Sequence, residues 1–418
     1  MLKRFNLKLE PDKRRVICLP LHFSSNEEKT QRIKRIYKNI IKLDEESTQK
    51  TYNDIMKEFS NRHKSFLNIL KDTFNQIEQH LPDNHQLTET QQLVLASYFV
   101  MEYSIEAAAL FNPSLVIHPV QDNKDKLKIL ISLRATGEGH ISSIEFVEGY
   151  IGQNGELDLI DRESSCNLPK LCVADIEKSV LEFNDDVSLN EQVIFPLTRD
   201  ESNGIEDVRF VKFEDGNNEN SYYGTFTAYD GKLIKSKLIC TRDFKKYTIR
   251  SMKGSAISDK GMALFPRKIN GKYAMISRQD GENIRIMFSK DILYWESSEI
   301  IQEPEFPWQF GKLGNCGSPI ELDEGWLLLT HGVGSLRKYV IGACLLDLND
   351  PSKVIAKLKE PLLSPNKDER EGYVPNVVYS CGGILHNRQI ILPYAMSDSV
   401  SGFVTVDVAA LVSRMKKY

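Results

Sequence analysis

The chain has 418 residues, 41 % of them hydrophobic, and a formal net charge of −4. That share of apolar residues supplies a sizeable core and excludes global disorder, and the length admits one large domain with an appendage, or two domains. The acidic balance excludes a broad nucleic-acid footprint but leaves room for a local basic pocket that takes a small anion.

In chain order, "MLKRFNLKLEPDKRRV" has no apolar run behind its basic residues, so no secretory signal is expected. An opening strand is predicted in "RRVICLPL". Residues 27–80 then repeat apolar positions at helical spacing. Ile33, Ile36, Tyr37, Ile40 and Ile41 make one stripe, and Phe66, Ile69, Leu70 and Phe74 another. A further helix is predicted from Thr88, a fitting N-cap in "LTETQQ", to about Leu110. Its apolar window "LVLASYFVMEYSIEAAALF" contains Glu102 and Glu106, which argues against a membrane span and for a buried helix.

From residue 115 the pattern becomes short strands separated by Gly, Asp and Asn turns. Five segments share one layout, an apolar strand, a polar gap and a second apolar strand. They are "LKILISLRATGEGHISSIEF", "SYYGTFTAYDGKLIKSKLICTRDFKKY", "KYAMISRQDGENIRIMFSKDILYWE", "GWLLLTHGVGSLRKYVIGACLLDLND" and "RQIILPYAMSDSVSGFVTVDV". Repetition at roughly 40–60 residues is what a β-propeller requires, since one blade cannot bury both faces alone. An irregular β-sandwich is the competing reading. The longer spacing before the second unit predicts an insertion around 150–200. The expected fold is an all-β five-bladed β-propeller over residues 111–418 with an α-helical N-terminal region over 1–110. In a propeller the polar strand ends converge on one funnel, here Arg134 and His140, Thr227 and Tyr229, Ser277 and Arg278, His331, and Tyr394 with Asp398.

The seven cysteines are scattered and odd in number, and none forms a C-x-x-C pair. Neither a disulfide framework nor a zinc site is expected, and a reducing, cytoplasmic setting fits.

Seven stretches then appear in one order: "FNPSLV", "GIEDVRF", "TAYDG", "LFPRKINGKYAMISR", "GWLLLTHGV", "IGACLLDLNDPSKV" and "GYVPNVVYSCGG". Together they resemble glycoside hydrolase family 130, the β-mannoside phosphorylases and β-mannosidases, over about residues 110–408. The resemblance implies inverting cleavage of a β-mannoside, with inorganic phosphate as co-substrate and no other cofactor or metal. The expected partners are a β-mannoside oligosaccharide and phosphate, with no nucleic acid and no membrane, and a homo-oligomer is also implied. Asp207 matches the family's single general acid, which relays its proton through a sugar hydroxyl. Arg134, Lys260, Arg278 and His331 match basic positions near phosphate or sugar. Asn112 and Asp398 match sugar-binding positions, with Glu206, Arg209, Tyr339 and Tyr379 as further sugar-contact candidates.

One carboxylate suffices in that chemistry because phosphate is already a nucleophile, whereas hydrolysis needs a second carboxylate to activate water. Arginine suits phosphate because its planar fork grips two oxygens. Against these roles stand plainer ones: a turn carboxylate for Asp207, a solvated charge for a lone Lys or Arg, a core histidine for His331 and packing tyrosines. Asn376 could serve a turn. Two positions depart from the family, Val208 for a proline and Ser277 for a histidine. "RATGEGHISS" lacks the G-x-G-x-x-G spacing of a nucleotide loop, so Glu138 and His140 are read as a blade tip offering extra acid–base capacity. An inverting β-mannosidase and a non-catalytic carbohydrate-binding propeller are the alternatives.

Overall fold

Apolar stripes at helical spacing become four helices in the computed structural model, which describes residues 2–82, 85–175, 177–215 and 221–417. They are α1 (Asn26–Ile40), α2 (Glu45–Phe59), α3 (Phe66–Glu78) and α4 (Glu89–Ser97). Ser25 and Asp44 cap α1 and α2 by accepting backbone N–H groups of Glu28 and Ser47, and Thr88 forms a capping box with Gln91. Ile33, Ile40, Phe66, Leu70 and Phe74 are buried in one cluster with Leu93–Ala96. Ile41 leaves the expected stripe: it follows the last turn and is exposed.

The last helix is shorter than expected, ending at Ser97 rather than near Leu110. Val100–Ser104 instead pairs antiparallel with Val16–Pro20, the opening strand read from "RRVICLPL". That β-ladder takes residues which periodicity alone assigned to helix. Glu102 meets Arg62 at 2.7 Å and His63 at 2.8 Å, and Glu106 meets Arg162 at 2.6 Å, so both acids are paired. Among the described residues no helix is long and apolar enough to cross a membrane.

The chain divides into two compact units. One spans Asp12–Ile105 with Glu163–Asn167 and holds α1–α4; the other takes the remaining described residues. This division differs from the expected break at residue 110, because Leu2–Leu9 pairs with Val400–Asp407 and joins the last sheet.

The second unit is built of five antiparallel sheets, taken here in chain order. The first contains Ala109–Ile117, Leu127–Thr136 and Ser142–Ile151, and the second Ile205–Phe213, Ser221–Tyr229, Ile234–Thr241 and Lys246–Ser251. The third runs from Ala263–Leu264 through Tyr273–Ser277 and Ile284–Ser289 to Glu299–Gln302. The fourth centres on Lys312–Asn315, Gly325–Val333 and Tyr339–Leu346, and the fifth on Val378–Tyr379, Gln389–Met396 and Val400–Asp407. The expected insertion supplies Lys170–Ala174 and Lys178–Glu182, which extend the second sheet beyond Lys246–Ser251.

Five buried clusters join these sheets in succession. Phe146 and Phe210 lie in the cluster between the first and second, Phe213 and Met275 between the second and third, and Phe265 and Trp326 between the third and fourth. Leu329 and Leu392 share the next, and Phe403 with Leu133 joins the fifth sheet to the first. The clusters cover these sheets on both faces, which explains a strand such as Gly325–Val333 being buried along its whole length.

Candidate active site

Two β-bulges build the acidic side. Along Ile205–Phe213, Glu206 pairs with Thr227 and Arg209 with Thr225, so Asp207 and Val208 together face the single residue Phe226. Asp207 occupies the left-handed region at φ 55°. Along Ala109–Ile117 the same device lies between Phe111 and Ser114, with Asn112 at φ 49°. Asp and Asn tolerate this conformation better than other non-glycine residues, and a bulge re-aims a side chain out of strict alternation. The result is a hydrogen bond from Asn112 Nδ2 to Asp207 Oδ1 at 2.7 Å.

Arg134 completes this side. Its Nη1 lies 3.4 Å from Asp207 Oδ1 and its Nη2 donates to Glu206 Oε1 at 2.9 Å, while Nε donates to Ser142 Oγ. Lys260 Nζ donates to the other Glu206 oxygen at 3.1 Å. Burial alone would raise the Asp207 pKa. The cations of Arg134, Arg209 and Lys260 and the Asn112 amide outweigh it and hold the carboxyl below its usual range. Asp398, at φ 50° in the turn after Gln389–Met396, goes the other way: burial and the Asp207 charge push it up to about 6.

The opposite side is cationic. Arg278 follows Tyr273–Ser277, and His331 lies on Gly325–Val333. Arg278 Nη1 approaches His331 Nε2 at 3.2 Å, and His331 Nδ1 lies 3.0 Å from the Asn315 carbonyl. A guanidinium only donates, so Nε2 accepts and the proton sits on Nδ1, pointing at that carbonyl. Burial and the Arg278 charge push the His331 pKa far down, so the ring is neutral. Gly314 makes room for it, since a Cβ there would lie 2.5 Å from His331 Cε1. Tyr339 stacks on the ring and Tyr379 meets it edge-on.

These groups surround a cavity of about 230 Å³ lined from all five sheets. Asn112, Arg134, Asp207, Lys260, Arg278, His331, Tyr339, Tyr379 and Asp398 are brought together there. Other expectations fall outside it. Arg209 does not line the cavity: it is buried, donating to the Asp207 backbone carbonyl at 3.1 Å and the Tyr379 hydroxyl at 2.5 Å. Strict alternation would put residues 207 and 209 on one face, and the bulge between them breaks it. Glu206 sits behind the lining, between Arg134 and Lys260. Glu138 and His140 are exposed on the turn after Leu127–Thr136, where the His140 ring meets the Tyr373 hydroxyl at 3.0 Å. The Tyr229 hydroxyl bonds the Gly231 carbonyl and that of Tyr394 bonds Glu369, so neither reaches the cavity, and Thr227 is also outside its lining. Ser277 is fully buried and donates to Gln279 Oε1. Asn376 does serve a turn, at φ 64° with its side chain bonded to Arg370 Nε.

Lys312 and Arg337 line the cavity and were not expected. Arg337 had a legible signal. Its segment Gly334–Arg337 repeats the backbone of Gly137–His140, with the two glycines at φ −99° and −97° and the final residues at 56° and 62°. It is thus the polar gap of the fourth unit.

The family model for beta-1,4-mannooligosaccharide phosphorylase matches residues 175–417, more than half of the chain. The chain belongs to glycoside hydrolase family 130. This makes it an enzyme of the glycoside-cleaving class. Within the family, the 1,2-beta-oligomannan phosphorylase of Thermoanaerobacter sp. (strain X514) is 37 % identical over 224 residues, 53 % of this chain and 74 % of that one. The beta-1,2-mannobiose phosphorylase of the same strain is 38 % identical over 49 % of this chain and 67 % of that one. Among solved structures, the beta-1,2-mannobiose phosphorylase of Listeria innocua shares the fold, with a TM-score of 0.54 at 22 % identity over 75 % of this chain and 92 % of that one.

Proposed function

We propose that this family 130 enzyme is an inverting β-mannoside phosphorylase that converts β-linked manno-oligosaccharides to mannose 1-phosphate, or runs in reverse. The observation that carries the reading is charge. Five cationic side chains line the cavity, Arg134, Lys260, Arg278, Lys312 and Arg337, against the carboxylates Asp207 and Asp398. Glu206 offsets Arg134 and Lys260 and Asp259 offsets Arg278, three of those cations, while Lys312 and Arg337 form no ion pair among the described residues. Burial and the neighbouring Arg278, Lys260 and Arg337 charges depress the Lys312 pKa. A bound phosphate relieves that crowding, because it supplies the missing negative charge.

In this mechanism a phosphate oxygen held by Arg278, Lys312 and Arg337 forms a bond to the anomeric carbon. The glycosidic C–O bond breaks, and the leaving oxygen takes a proton that originates on Asp207 and passes through a sugar hydroxyl. Asp207 is ionised in the free pocket, so it must gain that proton as ligands bind. Phosphate offsets the field of Arg134 and Lys260 and thereby raises the Asp207 pKa. Asn112 and Asp398 hold the sugar, with Tyr339 and Tyr379 against it. Arg209 positions Asp207 and Tyr379 through its two hydrogen bonds rather than touching substrate.

The fold reading is that the five sheets are the blades of a five-bladed propeller. Its support is the cycle of five clusters and the pairing of the first strand with the last sheet. The cytoplasm as the site of action and a homo-oligomer remain part of the proposal.

A second reading, an inverting β-mannosidase, is favoured by Asp398, a second carboxylate in the same cavity. Incubation with β-linked manno-oligosaccharides, with and without phosphate, separates the readings. Mannose 1-phosphate formed only with phosphate supports the first, free mannose regardless of phosphate supports the second, and binding without turnover sinks both.

A further inference from the structure

The fourth sheet carries a second opening, of about 600 Å³, that the chemistry above does not use. Phe306 and Trp308 form its aromatic wall, with rings inclined by only 14° and centroids 6.3 Å apart. Trp308 is held in place. Its Nε1–H donates to the Lys359 carbonyl at 2.8 Å, and its ring lies so close to Gly332 and Gly342 that a Cβ would come within 2.5 and 2.4 Å. Only glycine permits that approach. The exposed side chains of Lys338, Lys359 and Glu360 border the opening and form no hydrogen bond or ion pair among the described residues.

The opening shares one hairpin with the active-site cavity. Along Arg337–Val340 the residues alternate: Arg337 and Tyr339 line the active-site cavity, and Lys338 and Val340 line the aromatic opening. A chain ligand seated in the first therefore has the second as its neighbour on the same element.

We propose that the aromatic opening is a distal carbohydrate subsite, which takes a remote sugar unit of an oligosaccharide whose reacting end occupies the active-site cavity. A pyranose presents a C–H face that stacks on a fixed aromatic plane and hydroxyls at its edge that bond charged side chains. An aromatic wall with a Lys338, Lys359 and Glu360 rim supplies both. An apolar ligand would leave that rim unmatched. The proposal rests on the β-mannoside reading above, and the experiment keeps the two apart.

Trp295 and Trp326 are fully buried and the chain has three tryptophans, so Trp308 is the one that reports a ligand. The Asp207→Asn protein would be titrated with β-1,2- and β-1,4-linked manno-tetrasaccharides and with the disaccharides, following tryptophan fluorescence. A saturable change with a tetrasaccharide but not a disaccharide is expected. In the otherwise unaltered enzyme, Phe306→Ala and Lys359→Ala should each raise KM for the tetrasaccharide about five- to tenfold, leaving kcat and the disaccharide kinetics unchanged. Lys359 lies on the rim, so its removal does not endanger folding. Identical KM values for both chain lengths in all proteins, with no fluorescence response, would overturn the subsite. If no β-mannoside is turned over, the activity reading fails and the titration still decides: a saturable tetrasaccharide response retains the subsite, and its absence removes it.

Discussion

The two sides of the active-site cavity are built from similar residues but left in different states. Around Asp207 the two strand carboxylates are paired: Asn112 and Arg134 on Asp207, Arg134 and Lys260 on Glu206. Across the cavity Arg278 leans on a neutral histidine and a distant Asp259 oxygen at 3.4 Å, and Lys312 and Arg337 have no ion partner among the described residues. The first side is largely paired within the free protein, and in the proposed function an anion completes the second. A satisfied network holds a geometry, and an unsatisfied one holds affinity in reserve.

The comparison breaks most directly at Asp207. Asp207→Asn should lower kcat by about 10²–10⁴-fold while sugar binding and the fold persist, because Asn accepts the same positive φ and can still receive the Asn112 hydrogen bond. Substantial remaining turnover would remove the proton-donor role. On the other side, Arg278→Ala or Lys312→Ala should raise KM for phosphate about 10- to 100-fold with less effect on kcat, since each deletes a charge-assisted contact. Unchanged phosphate dependence in both variants would place the anion elsewhere.

A smaller effect tests whether the cationic side depends on close packing. Gly314→Ala would press a methyl against His331 and lie 3.2 Å from Arg278 Nη1. Overpacking of this kind costs about 1–3 kcal/mol, and the phosphate KM should rise several-fold, less than for Arg278→Ala. The smallest expected effect is in pH dependence. Asp398 is pushed up to about 6, against an ordinary value of about 3.9. Between those values the folded chain keeps a proton that the unfolded chain has lost, so stability falls as pH rises from about 4 to about 6. Asp207 has the opposite sign: its contribution is present above about 4 and is lost as pH falls through its depressed folded value. Asp398→Asn should flatten the decline between pH 4 and 6, seen as a Tm about 2–4 °C higher above pH 6 in thermal melts. A parallel pH profile in both proteins would show that Asp398 is not the titrating group.

Much of this was legible from local pattern. The five repeated units correspond to five sheets, and Thr88 and the α1 and α3 stripes carry their own signals in caps and periodicity. The helix predicted to run through Glu102 failed because Val100–Ser104 has a partner strand some 85 residues earlier in the chain, at Val16–Pro20. No local propensity records such a partner. Glu138 and His140 failed as pocket residues for a related reason: the gap in the first unit looked equivalent to that in the fourth, yet only Arg337 of the pair of turns lines the cavity.

The sequence by itself determined the chemical inventory: the acid at 207, the arginines at 134 and 278, the histidine at 331, and the alternation that makes strands of the segments around them. Alternation is readable locally because it acts over a few residues, whereas Asp207 stood out as the acid only through the resemblance to the family. Which charges are paired and which are free was decided only in three dimensions. A bulge turned Asp207 toward Asn112 and Arg209 away, and Lys312, unremarkable in "GKLGNC", came to line the cavity beside Arg278. Those outcomes depend on strands brought together from distant parts of the chain, and on the low-dielectric cavity they enclose, where one unpaired charge weighs more than many paired ones.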